Sequence, residues 1–493
     1  MSTIFEVART APETVDALAV PVFSDGAISK AVELSRASLA KVGFEGNAGQ
    51  TYSIPAAIGP VVICVGMGKR ADVSVHSVRN AAASLARAAA RHATLSTTLA
   101  DVAVTGSESR SIAQAVTEGM AMASYRFTMH RSAASAKADA KSAVKLTRVT
   151  LVVAAGKVAA ATRGAERGAA IGDAVCMARD LANTSPGHLN ATDMAAVARS
   201  VADTAGLGIE VFDNEAMAEM KLGGMLGVNK GSLEPARLIK LTYTPSQPLG
   251  TVALVGKGVM YDSGGISLKP SDASHASMKM DMSGAAAVLA AMSVLHIVKP
   301  RVAVIGYLLC TDNMPSGSAL KMGEVITIRN GKTVEIHNTD AEGRLILADG
   351  LSLAVEDGVD AIVNIATLTG ACMGALGLKY AGLLSNHDGW AQQVSNAAAR
   401  ADERMWRLPL VAEYRKLLDS EVADMRNIGG PYAGAITAGL FLQEFVGGKP
   451  WAHIDMAGPM RVEGDDGWLS KGATAYGMRT FVELLDAYEP VAD

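Results

Sequence analysis

Residues 60–92 read PVVICVGMGKRADVSVHSVRNAAASLARAAARH. The apolar run at 61–65 has the length and β-branched content of a buried strand, and glycines follow it directly. The Ala-rich stretch at 77–92 has the composition of a helix. A buried strand, a glycine turn and a helix together form the repeating unit of an α/β fold.

The same alternation continues along the chain and predicts an α/β fold with a mostly parallel sheet covered by helices on both faces. Asn330-Gly331 between β-branched runs also predicts a hairpin. The further predicted strands are 99–104, 149–154, 208–212, 238–243, 251–255, 302–309 and 361–366. The further predicted helices are one from Ser111 onward, 163–181, 190–205, 283–298 and 345–355.

A long helical stretch is interrupted at residues 183–187, which read NTSPG. A proline–glycine break of this kind predicts a domain boundary. We therefore expect an N-terminal α/β domain in residues 1–160, a linker helix in 161–184 and a larger C-terminal domain in 185–493.

Composition excludes several classes of protein. The 45 basic and 49 acidic side chains give a net charge of −4, which argues against binding to nucleic acid or membrane surfaces through bulk charge. The 49% hydrophobic content argues against disorder. Four scattered cysteines suit neither a disulfide framework nor a thiolate zinc site. The composition predicts no run that approaches the roughly 18 apolar residues of a spanning helix, so we expect a soluble, cytoplasmic protein with no membrane partner.

Two short regions place charged residues among glycines and apolar residues. The first reads VGKGVMYDSGGISLKP at 255–270 and continues as MKMDMSG at 278–284; the second reads NTDAEGRL at 338–345. In the first region, charged residues follow the predicted strand 251–255 among glycines, where open α/β sheets place their sites. Lys257, Asp262, Lys269 and Asp281 are therefore expected to converge on one crevice.

Each acidic residue also has a purely structural interpretation. Asp262 and the glycines after it could form only a turn. Thr339 and Glu342 fit a capping box, and Asp281 fits a helix cap. Taken singly, these interpretations are at least as good as the functional one. Taken together they leave four acidic side chains near one sheet edge with little neutralisation.

If Asp262, Asp281, Asp340 and Glu342 do converge, their mutual repulsion requires protons or cations. Two divalent ions supply the charge, and oxygen ligands without thiolates suit Zn, Mn, Mg or Co. Lys257 can join such a shell only as the neutral amine, which adjacent dications favour.

These two regions resemble the leucine aminopeptidase (cytosol aminopeptidase) family of dinuclear metallopeptidases. The resemblance rests on NTDAEGRL at 338–345 and on VGKG, DSGG and KP within 255–270, and extends from about Asn183 to the C-terminus. It implies two three-layer α/β domains joined by a long helix, with the active site in the larger C-terminal domain. It also implies a homohexamer and a metal-dependent hydrolase that releases leucine and other apolar residues from peptides with a free N-terminus.

The resemblance also implies roles for individual residues. The metal ligands would be Lys257, Asp262, Asp281, Asp340 and Glu342, with Asp262 and Glu342 bridging two ions. Lys269 and Arg344 would be catalytic, and a bicarbonate would bind at Ala341, Gly343, Arg344 and Leu345. An apolar substrate pocket would comprise Met278, Thr367, Gly370, Ala457 and Met460.

Other functions stay open from the sequence. A two-metal phosphoesterase uses similar carboxylates, although the net charge gives no sign of a phosphate-binding surface. The basic stretch 126–148 could support a secondary DNA-binding role, which is less expected than a solvated connection. A non-catalytic protein is disfavoured because all seven polar residues that the resemblance requires are present.

Overall fold

The structure, a computed structural model, describes residues 3–135 and 146–491. Lys137, Lys141 and Lys145 of the basic stretch at 126–148 lie outside the described residues. The chain divides into two compact units. Unit 1 comprises Met1–Cys176 with Val462–Gly472, and unit 2 comprises Met177–Arg461 with Ala473–Asp493.

Unit 1 is built on a six-stranded sheet of order β1-β6-β5-β2-β4-β3. Only the edge pair β3–β4 is antiparallel; the other pairs are parallel. Its strands are β1 Ile4–Ala8, β2 Ala17–Val22, β3 Thr51–Ile54, β4 Val61–Gly66, β5 Thr94–Thr97 and β6 Arg148–Val152. The helices with both ends in the described residues before residue 184 are α1 Arg36–Lys41, α2 Val75–Ala88, α3 Ser109–Ser124 and α4 Val158–Asn183.

Unit 2 is built on an eight-stranded mixed sheet of order β15-β14-β17-β13-β9-β10-β8-β7. Its strands, with those of a smaller three-stranded sheet, are β7 Gly208–Phe212, β8 Arg237–Tyr243, β9 Thr251–Asp262, β10 Ala303–Asn313, β11 Val325–Thr327, β12 Thr333–Glu335, β13 Ala361–Ala366, β14 Ala381–Ser385, β15 Met405–Arg407, β16 Met425–Arg426 and β17 Trp451–Asp455. The strands β18 Arg461–Val462 and β19 Gly472–Ala473 form a two-stranded sheet at the two ends of the segment Val462–Gly472. The four central strands β17, β13, β9 and β10 run parallel, and antiparallel pairs flank them.

Helices cover both faces of this sheet, as predicted. Gly306 of β10 faces Met292, whereas Leu309 of the same strand contacts Gly350, so the helices carrying these partners lie on opposite faces. The helices are α5 Ala191–Ala205, α6 Asn214–Glu219, α7 Gly223–Asn229, α8 Ala273–Ala276, α9 Ser283–Ser293, α10 Leu295–Val298, α11 Glu342–Glu356, α12 Gly370–Leu376, α13 Asp388–Ala401, α14 Gly434–Gln443 and α15 Met478–Asp486. Short 3₁₀ turns occur at Arg70–Asp72, Leu99–Asp101, Ala155–Lys157, Met278–Met280 and Ala412–Leu418.

One predicted strand is wrong. Residues 99–104 were expected to form a strand, but the strand is β5, Thr94–Thr97, and Leu99–Asp101 is a 3₁₀ turn. Leu99 is fully buried within that turn, so its apolar character reflects burial rather than extended backbone. Strand β5 was not predicted because Ser96 and Thr97 are polar, and polar residues do not indicate a buried strand. Both are nevertheless fully buried.

The expectation about apolar runs also needs correction. Met278–Val298 is long and apolar enough to cross a membrane by length and composition, with a mean hydropathy of 1.6. However, 83% of its apolar window is buried inside the protein, which is typical of a helix in a protein core. The stretch is also interrupted, since it comprises a 3₁₀ turn and the helices α9 and α10.

Candidate metal centre

Lys257 lies within a strand, which differs from the expectation that it follows one. The predicted strand 251–255 continues to Asp262 as β9, whose neighbours are β10 and β13. Lys257 is 3% exposed, and glycines flank it on both sides. A Cβ at Gly343 would lie 2.8 Å from Lys257 Nζ, so a glycine of α11 allows the lysine side chain to pass.

The turn after β9 is both a local turn and part of the centre. Gly264 has φ +89°, a conformation that favours glycine, and its N–H donates to Asp262 Oδ1 at 2.9 Å. The N–H of Lys269 donates to Ser263 O at 2.9 Å and closes the loop. The turn interpretation of Asp262 is therefore correct, and it does not compete with convergence.

The capping-box interpretation of Thr339 is wrong. Helix α11 begins after Ala341, which makes no side-chain cap. Thr339 Oγ1 instead donates to Gly264 O at 2.7 Å and accepts the N–H of Ser267 at 2.8 Å. These two bonds hold the two motif segments against each other.

Asp281 is likewise not a helix cap. Helix α9 begins after Met282, which makes no side-chain cap. Asp281 Oδ1 accepts a hydrogen bond from Thr367 Oγ1 at 2.6 Å, and Asp281 Oδ2 lies 2.8 Å from Lys257 Nζ. Asp281 is 3% exposed, so both its oxygens are directed to buried partners.

The two lysines of the motifs each join a pair of carboxylates. Lys257 Nζ lies 2.8 Å from both Asp281 Oδ2 and Glu342 Oε1. Lys269 Nζ lies 2.7 Å from Asp262 Oδ2 and 2.6 Å from Asp340 Oδ1. All four acidic side chains and both lysines thus converge as the sequence led us to expect.

The electrostatic balance of this cluster favours additional positive charge. Two ammonium groups face four carboxylates, which leaves an excess of two negative charges if all are ionised. Burial, together with Asp262, raises the pKa of Glu342 to about 8, and burial raises that of Asp281 to about 6. Burial alone would lower the pKa of Lys257, but the surrounding carboxylates outweigh it and raise that pKa.

The donor set fits divalent metal ions. One oxygen from each of Asp262, Asp340 and Glu342 lies within 4.8 Å of the others, close enough to share an ion. Carboxylate oxygens are suitable ligands for Mn, Mg and Zn. Cations bound here would neutralise Asp340 and Glu342, whose pKa values are raised by burial.

Arg344 lies beside this centre in the first turn of α11. Its Nη1 donates to Asn427 O at 2.8 Å, and its buried Nε has no hydrogen-bond partner among the described residues. Burial lowers its pKa to about 10, although Glu342 and Asp455 oppose that shift. Of the backbone groups predicted to bind an anion, the N–H of Ala341 donates to Asn338 O at 3.3 Å.

The predicted pocket residues lie on several segments of unit 2. Asp455 joins two of these segments, because its Oδ1 accepts from the N–H groups of Leu368 and Ala457, each at 3.2 Å. Thr367, Ala457 and Met460 are buried, Met278 is half-buried and Gly370 is exposed.

Sequence reasoning missed two buried asparagines. Asn313 Nδ2, at the end of β10, donates to Asp262 Oδ1 at 2.8 Å. Asn427 Oδ1 accepts the His337 N–H at 2.9 Å, and Asn427 Nδ2 donates to Asn338 O at 2.6 Å. The available signals were weak: Asn313 lies four residues after the predicted strand 302–309, and Asn427 lies two residues before the first of two glycines.

The chain is thus a two-unit α/β protein. Its larger unit contains a buried cluster of carboxylates and lysines that is suited to binding divalent cations. Residues 176–482 match the model of the cytosol aminopeptidase family catalytic domain, and residues 19–134 match the N-terminal domain of that family. The chain belongs to the cytosol aminopeptidase family. It is accordingly an aminopeptidase that depends on divalent metal ions.

Relatives and solved structures agree with this assignment. A probable cytosol aminopeptidase of Alkaliphilus metalliredigens is 39% identical over 90% of this chain and 89% of its own length. One from Streptomyces griseus is 41% identical over 94% and 93%. The bottromycin maturation enzyme BotP in complex with Mn is 38% identical with a TM-score of 0.87, covering 96% of this chain and 99% of that chain. A tomato leucine aminopeptidase mutant is 30% identical with a TM-score of 0.86, covering 98% and 96%.

Proposed function

We propose that the protein is a dinuclear leucyl aminopeptidase, which removes leucine and other apolar residues from peptides with a free N-terminus. The supporting observation is the arrangement of Lys257 and Lys269, each within 2.8 Å of two carboxylates. Four buried or half-buried acidic groups held this closely have little value for stability alone, because separating them from water is costly.

We assign five metal ligands. Lys257 and Asp281 would hold one ion, Asp340 the more exchangeable second ion, and Asp262 and Glu342 would bridge both. The pairing of Lys257 with Asp281 and of Lys269 with Asp340 supports this division, because each pair occupies its own end of the cluster. Two ions when bound supply a water of lowered pKa and a Lewis acid for the scissile carbonyl.

Lys269 and Arg344 would supply the positive charge that the reaction needs outside the metal ions. Lys269 is 18% exposed at its side chain, unlike Lys257, so it can reach a substrate while it remains near Asp262. Its ammonium would stabilise the negative charge that develops on the carbonyl oxygen. The carboxylates around it raise its pKa despite partial burial, which keeps it cationic at neutral pH.

Arg344 would bind a bicarbonate that acts as general base and transfers the proton to the leaving amine. The buried Nε of Arg344 offers a donor, and backbone N–H groups of the first helical turn favour an anion. We retain Ala341, Gly343 and Leu345 as the proposed backbone partners. Of these, Ala341 must exchange its bond to Asn338 O for the anion.

Leucine preference would come from an apolar pocket formed by Met278, Thr367, Gly370, Ala457 and Met460. The peptide's α-amino group, bound as the neutral amine, would anchor the substrate at the metal centre and restrict cleavage to the first residue. Burial of an apolar side chain in such a pocket gives about 0.8 kcal/mol for each CH₂ group, which distinguishes leucine from alanine.

The remaining proposals concern the state of the protein in the cell. We propose a cytoplasmic homohexamer loaded with Zn or Mn, with Mg or Co as alternatives. The name cytosol aminopeptidase of its relatives supports the location, and the Mn in the BotP structure supports the metal. Light scattering tests the assembly, and metal analysis of the purified protein tests the loading.

Activity measurements test the function directly. Chelation should abolish hydrolysis of a leucyl amide, and Mn or Zn should restore it; activity that is insensitive to chelation would contradict the proposal. A panel of aminoacyl amides should show faster turnover of leucyl than of glycyl or charged substrates. A phosphoester assayed beside them should not be cleaved, and cleavage of that substrate alone would favour a two-metal phosphoesterase.

A further inference from the structure

Thr367 contacts both residues that we assign to one metal ion. Its hydroxyl donates to Asp281 Oδ1 at 2.6 Å, and its main-chain carbonyl accepts from Lys257 Nζ at 3.0 Å. Because Oδ1 of Asp281 is held by the hydroxyl, Oδ2 is the oxygen directed toward Lys257 and available as a ligand. Thr367 is 7% exposed, so solvent cannot readily replace its hydroxyl.

Asn313 contacts the two carboxylates that we assign as bridging ligands. Its Nδ2 lies 2.8 Å from Asp262 Oδ1 and, at the outer limit of a hydrogen bond, 3.5 Å from Glu342 Oε2. The same nitrogen donates to Thr339 O at 3.0 Å, which ties the amide to the second motif segment. Asn313 is 5% exposed.

We propose that Thr367 and Asn313 are positioning residues that set the affinities with which the chain binds the two metal ions. Thr367 acts on the ion held by Lys257 and Asp281, and Asn313 acts on both ions through the bridging carboxylates. This inference rests on the proposed two-ion function. Neutral donors that orient metal-ligating carboxylates typically contribute a factor of about 10 to 100 in metal affinity.

The chain contains matched controls for both side chains. Thr480 Oγ1 donates to Glu403 Oε2 at 2.6 Å, so it is another buried threonine holding a buried carboxylate. Asn229 is 5% exposed, and its Nδ2 donates to Glu234 O and Thr311 Oγ1. Substitutions at these controls remove equivalent hydrogen bonds from unit 2 without removing a contact to a proposed ligand.

The experiment is a calorimetric titration of the chelator-treated, full-length protein with Mn²⁺. For Thr367→Val, which keeps the shape of the side chain, we expect one of two binding steps to weaken by about 10- to 100-fold. For Asn313→Ala we expect both steps to weaken. Thr480→Val and Asn229→Ala should bind Mn²⁺ like wild type, even where their melting temperatures fall.

Thr367→Ser separates the hydroxyl from the methyl group of the proposed pocket. It should bind both Mn²⁺ ions with wild-type affinity while raising KM for a leucyl amide, and it remains informative if the valine variant fails to fold. Wild-type Mn²⁺ binding in Thr367→Val, or equal weakening in Thr480→Val, would overturn the inference. If wild-type protein itself binds fewer than two ions, the proposed function fails, and this outcome is distinct from the other two.

Discussion

The ammonium nitrogen of Lys257 lies 2.8 Å from Glu342 Oε1, although one residue stands inside a central strand and the other begins a helix. This contact joins the two motifs, at 255–270 and 338–345, which are far apart in the sequence. The strand extends past Lys257 to Asp262, and the helix starts at Glu342. The geometry of the centre therefore follows from where two secondary-structure elements begin and end.

The first prediction concerns the two catalytic cations. Lys269→Ala and Arg344→Ala should each lower kcat for a leucyl amide by roughly 10²- to 10³-fold, because each removes charge from a site where charge develops. Both variants should keep their metal and fold, as measured by metal analysis and circular dichroism. Lys240→Ala and Arg329→Ala remove lysine and arginine ion pairs elsewhere and serve as controls. Wild-type turnover in Lys269→Ala or Arg344→Ala would refute the corresponding role.

The second prediction separates the two ions. Asp340 is the most exposed of the four carboxylates at its side chain, at 33%, so the ion that it holds should exchange most readily. Asp340→Asn should lower the affinity for that ion by more than about tenfold and leave the other ion bound. Metal content after dialysis measures this outcome, with Asp388→Asn, which alters a surface pair with Arg407, as the control. Loss of both ions to the same degree would contradict the assignment.

A third prediction concerns stability and pH. Asp349 is fully buried on α11 and accepts the N–H groups of Met225 and Arg329, yet burial raises its pKa from 3.8 to about 7. Its folded state thus prefers the neutral acid, so its contribution to stability is highest below pH 4 and is lost as pH rises to about 7.

Chemical denaturation in the presence of chelator tests this sign. The unfolding free energy of wild type minus that of Asp349→Asn should fall with rising pH, by about 1.4 kcal/mol for each unit between pH 4 and 7. A difference that rises with pH for Asp349→Asn would be inconsistent with a raised pKa.

The fourth prediction concerns the segment Val462–Gly472, which belongs to unit 1. Arg87 holds it by donating to Gly467 O at 2.6 Å and to Leu469 O at 2.8 Å. Arg87→Ala should raise amide hydrogen exchange in this segment by about tenfold, which corresponds to about 1.4 kcal/mol. Arg36→Ala breaks a similar main-chain contact elsewhere in unit 1 and should leave the segment unchanged. Unaltered exchange in Arg87→Ala would show that other contacts hold the segment.

Much of the fold is readable from the sequence because buried strands and Ala-rich helices differ in composition. The strand Val61–Gly66 and the helix after it lie close to where the pattern predicts them. Strand Thr94–Thr97 was not predictable, since buried Ser96 and Thr97 look like a loop. The true end of β9 was equally hidden, because Gly256 and Gly258 read as a turn although the strand continues through them.

The convergence of the centre was predictable from charge, whereas its supporting contacts were not. Asp262 and Glu342 belong to motifs dense in acidic residues and glycines, so they stand out in the sequence. Asn313 and Asn427 are single amides whose importance depends on three-dimensional contacts with distant segments. Thr339 shows the same limit, because its spacing matches a capping box but its hydroxyl bonds to Gly264.

The most direct test of the account is the number of ions that the intact chain binds. Protein freed of metal by chelation should take up two Mn²⁺ per chain in a calorimetric titration, with leucyl amide hydrolysis returning as the second site fills. Glu342→Gln, which alters a proposed bridging ligand, should lower the affinity for both ions. Saturation below two ions, or two ions bound unchanged by Glu342→Gln, would contradict the central claim that these carboxylates form one dinuclear centre.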